Sequence, residues 1–400
     1  MQKTIEGFDQ ALLCERVLGW VESMRIDSMQ FRMNEDAGAS IFTSCFALFI
    51  YDLFDRVREW TQDRRDEWAA FIQSFQDSDN GYFLPGAYQS SLNTKAVHQC
   101  TAFCLSALRI LGNFPKYNLN FVSQWNTPEK MFDYLENSGC FRGAPGSGNT
   151  AMFLAIFLTF QYERTNDAVL LDLMENWFDF FDKAQNPSSG FWGDSSRQRY
   201  FSGFQNAYHQ FVIYHYWKRD IQFHEKIVDA VLELQDRDGF FAPVPGGGGC
   251  YDLDAADILI RCGHQKGYRN EEIRDALVRL FEAVYESQND DGGFCESRKR
   301  PSSLGNVFSS RNIKTILSGH RLDVSYWRLR ASLSNARPSR ETIDTHWTEE
   351  GRFWHQSDMW DTWFRCLTLA EIDKTLDLST GDSGPAWNFH KCIGLGHFET

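Results

Sequence analysis

The sequence predicts an all-α fold, an α/α toroid of six, possibly seven, helical hairpins, and three observations lead to this prediction. Short acidic or amide-rich segments that end in glycine recur about every 50 residues. An amphipathic stretch precedes each segment, and a more apolar stretch follows it. A unit of about 50 residues has room for two helices and their connections, which is the size of one helical hairpin.

The recurring segments supply ends for the helices. Glycine adopts the left-handed conformation that ends a helix, and Asp, Asn and Ser side chains bond to nearby backbone groups. The clearest copies occupy residues 76–83, 185–192, 235–241 and 288–294, and weaker copies lie at 34–38, 137–141 and 349–353.

The stretches between these segments divide into outer and inner helices. The amphipathic stretches should face solvent, and the apolar ones should face inward. The predicted inner helices cover residues 41–54, 96–111, 150–162, 204–217, 253–262 and 359–372. A closed ring is favoured over an open solenoid, which would have more uniform repeats and capping units. We therefore predict one domain over residues 1–400, with repeats over about 30–373 and a tail, 374–400, that packs on the ring.

Composition excludes several classes of function. The net charge of −14 argues against binding of nucleic acid or of an anionic membrane surface. The chain has no apolar stretch long enough for a membrane span. Ten cysteines without a CxxC motif, and no signal peptide at the start, predict reduced thiols and a cytoplasmic location. The 34 Phe, 14 Tyr and 13 Trp residues suit either a solid core or a lined cavity.

The most unusual stretch is an acidic cluster that follows four consecutive glycines at residues 246–249. Asp252, Asp254 and Asp257 would lie in the first turns of the next helix, with Asp254 and Asp257 on one face. One interpretation is an acidic helix start that complements the helix dipole, with Arg261 pairing Asp257. The other is a proton donor, because crowded carboxyl groups in an apolar cavity retain protons.

The phrases Gln288-Asn-Asp-Asp-Gly-Gly-Phe294 and Gln235-Asp-Arg-Asp-Gly-Phe-Phe241 resemble the repeats of squalene and terpene cyclases and of protein prenyltransferase β subunits. The resemblance implies the toroid fold and an acid-initiated (class II-like) cyclisation of an isoprenoid or other apolar polyene. Asp252, Asp254 and Asp257 resemble the Asp-x-Asp-Asp motif of class II cyclases, although Ala255 departs from it. Asp254 would donate the proton, Asp252 and Asp257 would tune it, and His209 would orient the substrate.

In a ring with parallel inner helices, the N-terminal ends of these helices gather at one mouth, where we expect polar residues to contact the substrate. Any single one of them is also readily explained as a helix cap. The predicted substrate-binding residues are His98, Asn149, Asn206, Tyr208, Tyr251, Asp358, Trp360 and Arg298, and Asn93, Lys95 and Asn306 belong to the same polar set.

Three other functions fit the same sequence. A carbohydrate-active enzyme (glycosidase, lyase or epimerase) would pair Asp254 with His209, Tyr208 or Asp358. By resemblance to protein prenyltransferases, Cys250 and Asp252 with His264 or His320 would bind zinc, although the Cys–Asp order is reversed. A non-catalytic binding module is the third.

The expected partner is a small, apolar substrate rather than nucleic acid. No cofactor and no metal are predicted, except Mg²⁺ if the substrate is a diphosphate, which the basic residues Arg298, Lys299 and Arg300 would then contact.

Overall fold

The computed structural model describes residues 8–85, 94–193, 200–318, 321–337, 341–378 and 387–390. Helices dominate this part of the chain. They are α1 (Gln10–Ser23), α2 (Ile41–Leu53), α3 (Gln62–Gln73), α4 (Thr94–Ile110), α5 (Pro128–Asn137), α6 (Ser147–Thr165), α7 (Ala168–Ala184), α8 (Phe201–Tyr216), α9 (His224–Leu232), α10 (Gly249–Ile258), α11 (Asn270–Tyr285), α12 (Leu304–Val307), α13 (Ser310–Ile316), α14 (Leu322–Asn335) and α15 (Met359–Leu376).

Six of these helices form a closed inner ring. Helix α2 packs on α4, α4 on α6, α6 on α8, α8 on α10, α10 on α15, and α15 on α2 again. The outer helices α1, α3, α5, α7, α9 and α11 each precede an inner helix and complete six hairpins. The all-α toroid is therefore confirmed, and the described part of the chain forms six hairpins.

The inner helices are buried almost throughout, as their apolar sequences predict. All thirteen residues of α2 are buried, whereas α3, the outer helix that follows, buries only Trp68, Ala69 and Ile72. This contrast follows from the ring, in which an inner helix has neighbours on every side and an outer helix has solvent on one.

The N-terminal ends of the inner helices lie at one end of the ring, the mouth. The first turns of α6 and α8 meet there, because the Asn206 side chain accepts a hydrogen bond from Gly148 N at 2.7 Å. The first turns of α10 and α15 also meet, since a Cβ added to Gly249 would lie 2.6 Å from Asp361 Oδ1. The opposite end holds the C-terminal turns, where Tyr216 donates to Glu163 at 2.6 Å.

Four of the recurring segments, 76–83, 185–192, 235–241 and 288–294, connect an outer helix to the next element and are called joints below. The side-chain amide of each joint glutamine donates to the carbonyl of a glycine in the same joint, at 3.1 Å from Gln76, 2.7 Å from Gln185, 2.8 Å from Gln235 and 2.8 Å from Gln288. In the first three joints the same amide also donates to the next hairpin or to the connection leading to it, at Tyr117, Gln222 and Ala276. Each of these three glutamines therefore fixes a turn and ties two hairpins together.

The last joint closes the ring. Gly292 has φ +97°, and a Cβ at this position would overlap the backbone carbonyl of Arg16 in α1. The Arg16 guanidinium in turn donates to the carbonyl of Asn289 at 2.9 Å. The sixth hairpin thus contacts the first at the same kind of joint.

A long insertion separates α11 from its inner partner α15. It contains α12, α13, α14 and a short antiparallel hairpin of β1 (Thr342–Ile343) and β2 (Arg352–Phe353), in which Thr342 pairs with Phe353. The weak repeat at 349–353 lies in this hairpin, and the joint at 288–294 contacts α15 directly through Phe294 N and Thr362 Oγ1 at 2.9 Å. The repeats at 288–294 and 349–353 therefore precede the same inner helix, α15. No seventh hairpin forms in the described residues.

The described residues of the tail, 387–390, lie at the C-terminal ends of α2 and α15. Asn388 donates to the Leu53 carbonyl and to Asp52 Oδ1, both at 2.9 Å, and Trp387 Nε1 donates to Asp373 at 2.7 Å. These bonds join the first and sixth hairpins at the end opposite the mouth. The assignment of the whole chain to one domain stays a prediction.

The closing joint predicts a large effect of a small substitution. Gly292→Ala adds a methyl group against the Arg16 backbone and strains a positive φ, so we expect it to lower the free energy of unfolding by about 3 kcal/mol or more. Gly112→Ala is the matched control, because Gly112 has φ +73° with open space around its Cβ position, and strain alone costs about 1–2 kcal/mol. Urea unfolding of both variants measures the difference, and equal losses would contradict the interlocked joint.

Candidate functional site

An acidic cluster lies deep inside the ring between three inner helices. Asp254 and Asp257 come from α10, Glu371 comes from α15, and Tyr208 comes from α8. Arg261 follows α10 in a π-helical segment, Leu259–Gly263. The Arg261 guanidinium acts on Asp257 and Glu371, and the cluster has three carboxyl groups to this one guanidinium.

Asp254 is a buried carboxyl group with a raised pKa. Its side chain is 2% exposed, and Oδ2 is buried without a hydrogen-bond partner. Burial raises the pKa of Asp254 well above its ordinary value of 3.8, and the negative charges of Asp257, Asp252 and Glu371 raise it further. Asp254 therefore keeps its proton to a higher pH than an ordinary carboxyl group does.

Asp257 is the member of the cluster that pairs with a guanidinium. Its Oδ1 accepts a hydrogen bond from Arg261 Nε at 2.5 Å. Burial raises the pKa of Asp257 above its ordinary value, and the pair with Arg261 opposes part of this rise. One of the two interpretations of the acidic segment predicted that Arg261 pairs with Asp257, and the structure contains this pair. It also places a carboxylate close to the Asp254 proton.

Glu371 is a member of the cluster that the sequence did not reveal. Both of its carboxyl oxygens are buried without a hydrogen-bond partner, and burial, followed by the charge of Asp257, raises the pKa of Glu371 well above its ordinary value. Glu371 is more than a hundred residues from Asp254 in the chain and has no local motif around it. Only the packing of α10 on α15 brings the two carboxyl groups together.

Asp252 is part of the framework of the site. Its carboxylate accepts hydrogen bonds from Phe241 N at 2.8 Å and Gly248 N at 3.0 Å, and it pairs with Arg365 Nη1 at 2.5 Å. The side chain thereby fixes the four-glycine segment against α15. Its predicted role in tuning Asp254 is electrostatic, because its charge contributes to the raised pKa of Asp254.

Three of the predicted contact residues lie on the part of α8 and α10 that faces the interior. His209 is partly exposed, and its Nδ1 donates to the Gln205 carbonyl at 2.9 Å, which leaves Nε2 as an acceptor. Burial lowers the pKa of His209 to about 4, so the ring is neutral at pH 7. Tyr208, whose pKa is raised by burial and by the charges of Asp257 and Asp254, is the neighbour of the acidic cluster. Tyr251 is partly exposed beside Phe204, with ring centres 6.0 Å apart.

Other predicted residues have structural partners. His98 is buried, its Nε2 lies 3.2 Å from the Tyr82 hydroxyl, and burial lowers its pKa to about 4. Asn206 joins α6 to α8 through Gly148, as described above. Asn149 is partly exposed in the first turn of α6. Contact of these three residues with a substrate stays a prediction.

The remaining predicted residues lie around α15 and the insertion. Asp358 is the N-cap of α15 and pairs with Arg352 Nε at 2.7 Å. Arg298 is exposed and donates to the Gln288 carbonyl at 3.2 Å. Asn306 lies in α12 and donates to Ser302, so it is not at the start of an inner helix. Lys95 is exposed at the start of α4, whereas Asn93 lies outside the described residues.

Aromatic rings fill the mouth on the side of α2, α4 and α15. Trp360 lies 5.1 Å from Phe46, 6.0 Å from Phe103 and 4.0 Å from Phe364, measured between ring centres. Trp347 from the insertion packs on Trp360 at 4.4 Å. The insertion therefore contributes an aromatic side chain to the ring interior, which the repeat pattern did not indicate.

The residues of the predicted zinc site are separated by the fold. Cys250 is at the start of α10, and His264 follows its end, about 20 Å away at the rise of a helix. Asp252 is held by Arg365, and His320 lies outside the described residues. Within the described ranges no group of three His, Cys, Asp or Glu side chains is arranged to hold a metal ion.

From the charges in this cluster we predict that Asp254→Asn and Asp257→Asn change the free energy of unfolding in opposite directions. The unfolded chain ionises Asp254 above pH 3.8, whereas in the folded chain its raised pKa keeps the proton bound to higher pH, so the acid costs folding free energy that grows as the pH rises between the two pKa values. We expect Asp254→Asn to be more stable than wild type at pH 7, with an advantage that shrinks towards pH 4 by up to about 1.4 kcal/mol per pH unit.

Asp257→Asn is the matched control, because it removes the carboxylate that accepts the hydrogen bond from the buried Arg261 guanidinium. We expect it to lower the free energy of unfolding by about 3 kcal/mol at pH 7. Urea unfolding at pH 4 to 7 measures both variants. A loss of stability in Asp254→Asn that increases with pH would contradict the protonated state of Asp254.

Comparison with known proteins agrees with the toroid. Among the solved structures that match are a polysaccharide lyase (TM-score 0.50, 10% identity, 92% of this chain and 98% of that chain) and a type II terpene cyclase from Scytonema in complex with geranylgeranyl dihydroxybenzoate (0.48, 11%, 92% and 97%). An α-mannanase from Bacteroides thetaiotaomicron also matches (0.47, 11%, 93% and 98%). At these identities the likeness shows the fold alone. A search of curated proteins gave no match.

The described helices include none long and apolar enough to cross a membrane.

The sequence matches the profile of the prenyltransferase alpha-alpha toroid domain over residues 7–151 and 83–342, which confirms the resemblance drawn from the glycine repeats. The six hairpins, their glutamine–glycine joints and this match lead to one conclusion: the chain belongs to the prenyltransferase alpha-alpha toroid domain family.

Proposed function

We propose that this protein is a terpene cyclase-like enzyme, in which Asp254 protonates an isoprenoid or other apolar polyene inside the ring. The observation that carries the proposal is the state of Asp254, a buried carboxyl group with a free oxygen and a raised pKa. An acid that is protonated at neutral pH and shielded from water is what this reaction requires.

The charge balance of the cluster supports a proton donor. Asp257 pairs with Arg261, which opposes the rise that burial causes in its pKa, so in this proposal Asp257 is the anion and Asp254 and Glu371 take up protons. In the proposed step the O–H bond of Asp254 breaks and its electron pair stays on the carboxylate. The π pair of a double bond forms the new C–H bond and leaves a carbocation, which further double bonds attack to form rings. Loss of a proton from carbon to a base ends the reaction.

The aromatic rings near the mouth support the cationic intermediates. The rings of Phe46, Phe103, Trp360 and Phe364 contact one another, and they carry negative quadrupoles without a nucleophile that would capture a cation. In this proposal the rings on the inner helices stabilise charge, and His209 orients the substrate as a neutral acceptor. The proton transfer itself needs no cofactor, and Mg²⁺ belongs to the proposal only for a diphosphate substrate.

A carbohydrate-active enzyme is the second candidate, and the position of Tyr208 favours it. Tyr208 and the neutral His209 are adjacent on α8, and Tyr208 is close enough to Asp254 for the two groups to affect each other's charge. A tyrosine, a histidine and a carboxylic acid together suit acid–base chemistry on a sugar. The Asp358 carboxylate, already paired with Arg352, contributes less to this candidate.

Replacement of Asp254 tests the proton donor. We expect Asp254→Asn to lower turnover of a polyene substrate at least 100-fold, because the amide has no acidic proton to give. Asp52→Asn is the matched control, since Asp52 is also buried with a pKa raised to about 7 but lies at the end of the ring opposite the mouth. Its turnover should equal that of wild type. Full activity in Asp254→Asn would remove the proposal.

A ligand panel separates the two candidates. Thermal shifts are measured with free polyenes, isoprenoid diphosphates and neutral oligosaccharides, using the full chain. Stabilisation by the polyenes or isoprenoids supports the cyclase. Stabilisation by oligosaccharides alone supports the carbohydrate-active enzyme and contradicts the first proposal.

A further inference from the structure

The insertion before α15 has a charge opposite to that of the whole chain. Residues 298–340 contain ten Arg and Lys residues and one acidic residue, Asp323, although the net charge of the chain is −14. Asp323 is partly buried and pairs with Arg321 at 2.7 Å. The exposed charged side chains in the described ranges 301–318 and 321–337 are therefore all basic, and they are those of Arg311, Lys314, Arg330 and Arg337.

These four basic side chains differ from the basic residues at the base of the insertion. Lys299 pairs with Asp238 of a joint at 3.8 Å, and Arg321 pairs with Glu233 at the end of α9 at 2.9 Å. The four exposed side chains have no ion-pair partner in the part of the chain that the structure describes. Their positive charge is therefore directed to something outside this fold.

Helix α14 has an apolar stripe that the fold covers only in part. The members of the stripe lie three or four positions apart and so share one face, and they are Leu322, Tyr326, Leu329 and Leu333. Leu329 and Leu333 pack against the small core of the insertion, which consists of Val307, Ile316 and Ala336. Leu322 and Tyr326 continue the stripe beyond this core and are 91% and 55% exposed.

Other exposed apolar side chains lie on the helices that pack against α14. Leu304 begins α12, and Phe308 and Leu317 directly follow α12 and α13. Five of the eleven large apolar side chains that are exposed in the described residues thus lie within 304–326. Single exposed leucines are common on protein surfaces, but a concentration of this kind marks an interaction surface.

Basic and apolar side chains alternate on this surface. Arg330 lies four positions after Tyr326 on the same face of α14, and Leu317 lies three positions after Lys314. Nucleic acid would bind the basic side chains and leave the apolar ones in water. A lipid bilayer of negative charge offers phosphate groups at its surface and acyl chains directly beneath them, so it suits both kinds of side chain.

We propose that the exposed faces of α12, α13 and α14 bind the surface of an anionic lipid bilayer. Leu322 and Tyr326 enter the boundary between headgroups and acyl chains, and basic side chains such as Arg311 and Lys314 bind the lipid phosphates. The net charge of the whole chain argued against such a surface. Charges act over only about 8–10 Å in ordinary salt, however, so the local charge of the insertion decides. The inference does not depend on the proposed function.

Sedimentation with vesicles tests this surface on the full chain without reference to turnover. We expect wild type to bind vesicles of phosphatidylcholine mixed with phosphatidylserine more tightly than vesicles of phosphatidylcholine alone. High salt should weaken the binding, because it screens the charges. Absence of binding to the mixed vesicles at low salt, or equal binding to both kinds, would overturn the proposal.

A double substitution tests the basic side chains. Arg311→Gln with Lys314→Gln should weaken binding to the mixed vesicles about 25-fold, at roughly fivefold for each charge. Lys130→Gln with Lys226→Gln is the matched control, because it removes the same total charge from exposed positions of α5 and α9. The control should bind as wild type does, and equal losses in the two variants would contradict the location of the surface.

Leu322→Ala tests the apolar contact and separates the bilayer from other partners. Its side chain is so exposed that the substitution leaves the fold unchanged, and we expect about tenfold weaker binding to the mixed vesicles. Val169→Ala, at an exposed position of α7, is the control that should bind normally. If Leu322→Ala binds the vesicles as wild type does, the proposal is wrong. It is also wrong if the chain binds a DNA duplex in place of vesicles, or forms a dimer through this surface.

Discussion

The ring depends on one hydrogen-bonded interaction, the side-chain amide of glutamine at the joints. A turn that is packed against the next hairpin buries backbone carbonyls, and each of these needs a donor. In three joints the amide of a glutamine such as Gln235 supplies two donors at once, to the Gly239 carbonyl and to Ala276 of the neighbouring hairpin. The glycine allows the positive φ and the close contact that this bond requires. At these three joints the interaction ties consecutive hairpins together.

Closure of the ring brings side chains together that are far apart in the chain. Because α10 packs on α15, Glu371 lies beside Asp254, and Asp361 lies beside Gly249. Both contacts leave more carboxyl groups than guanidinium groups in a place that water does not reach. Protons are the simplest counter-charge there, since a neutral acid avoids most of the cost of burial. The same packing that stabilises the ring thus produces acids with raised pKa values.

The sequence was most informative where structure repeats locally. Glycine spacing and apolar runs predicted the six inner helices to within a few residues, and Asp254 and Asp257 were identified from their spacing on one helix. Glu371 was missed, because no local pattern distinguishes a buried glutamate from a surface one. Asn206, which was predicted to contact the substrate, also joins two helices, because a polar side chain near a helix start can bond to backbone groups as well as to a substrate. The insertion before α15 contains only the weak repeat at 349–353, and its helices were not predicted.

Because Gly292 contacts Arg16, this chain should unfold differently from an open array of repeats. In an open array of repeats the terminal units lack one neighbour, so they fray first and the interior can persist. Here the first hairpin has the sixth as a neighbour, and no unit is terminal. Opening any one hairpin breaks two interfaces and exposes the acidic interior to water. The loss of the site and the loss of the fold are therefore one cooperative event.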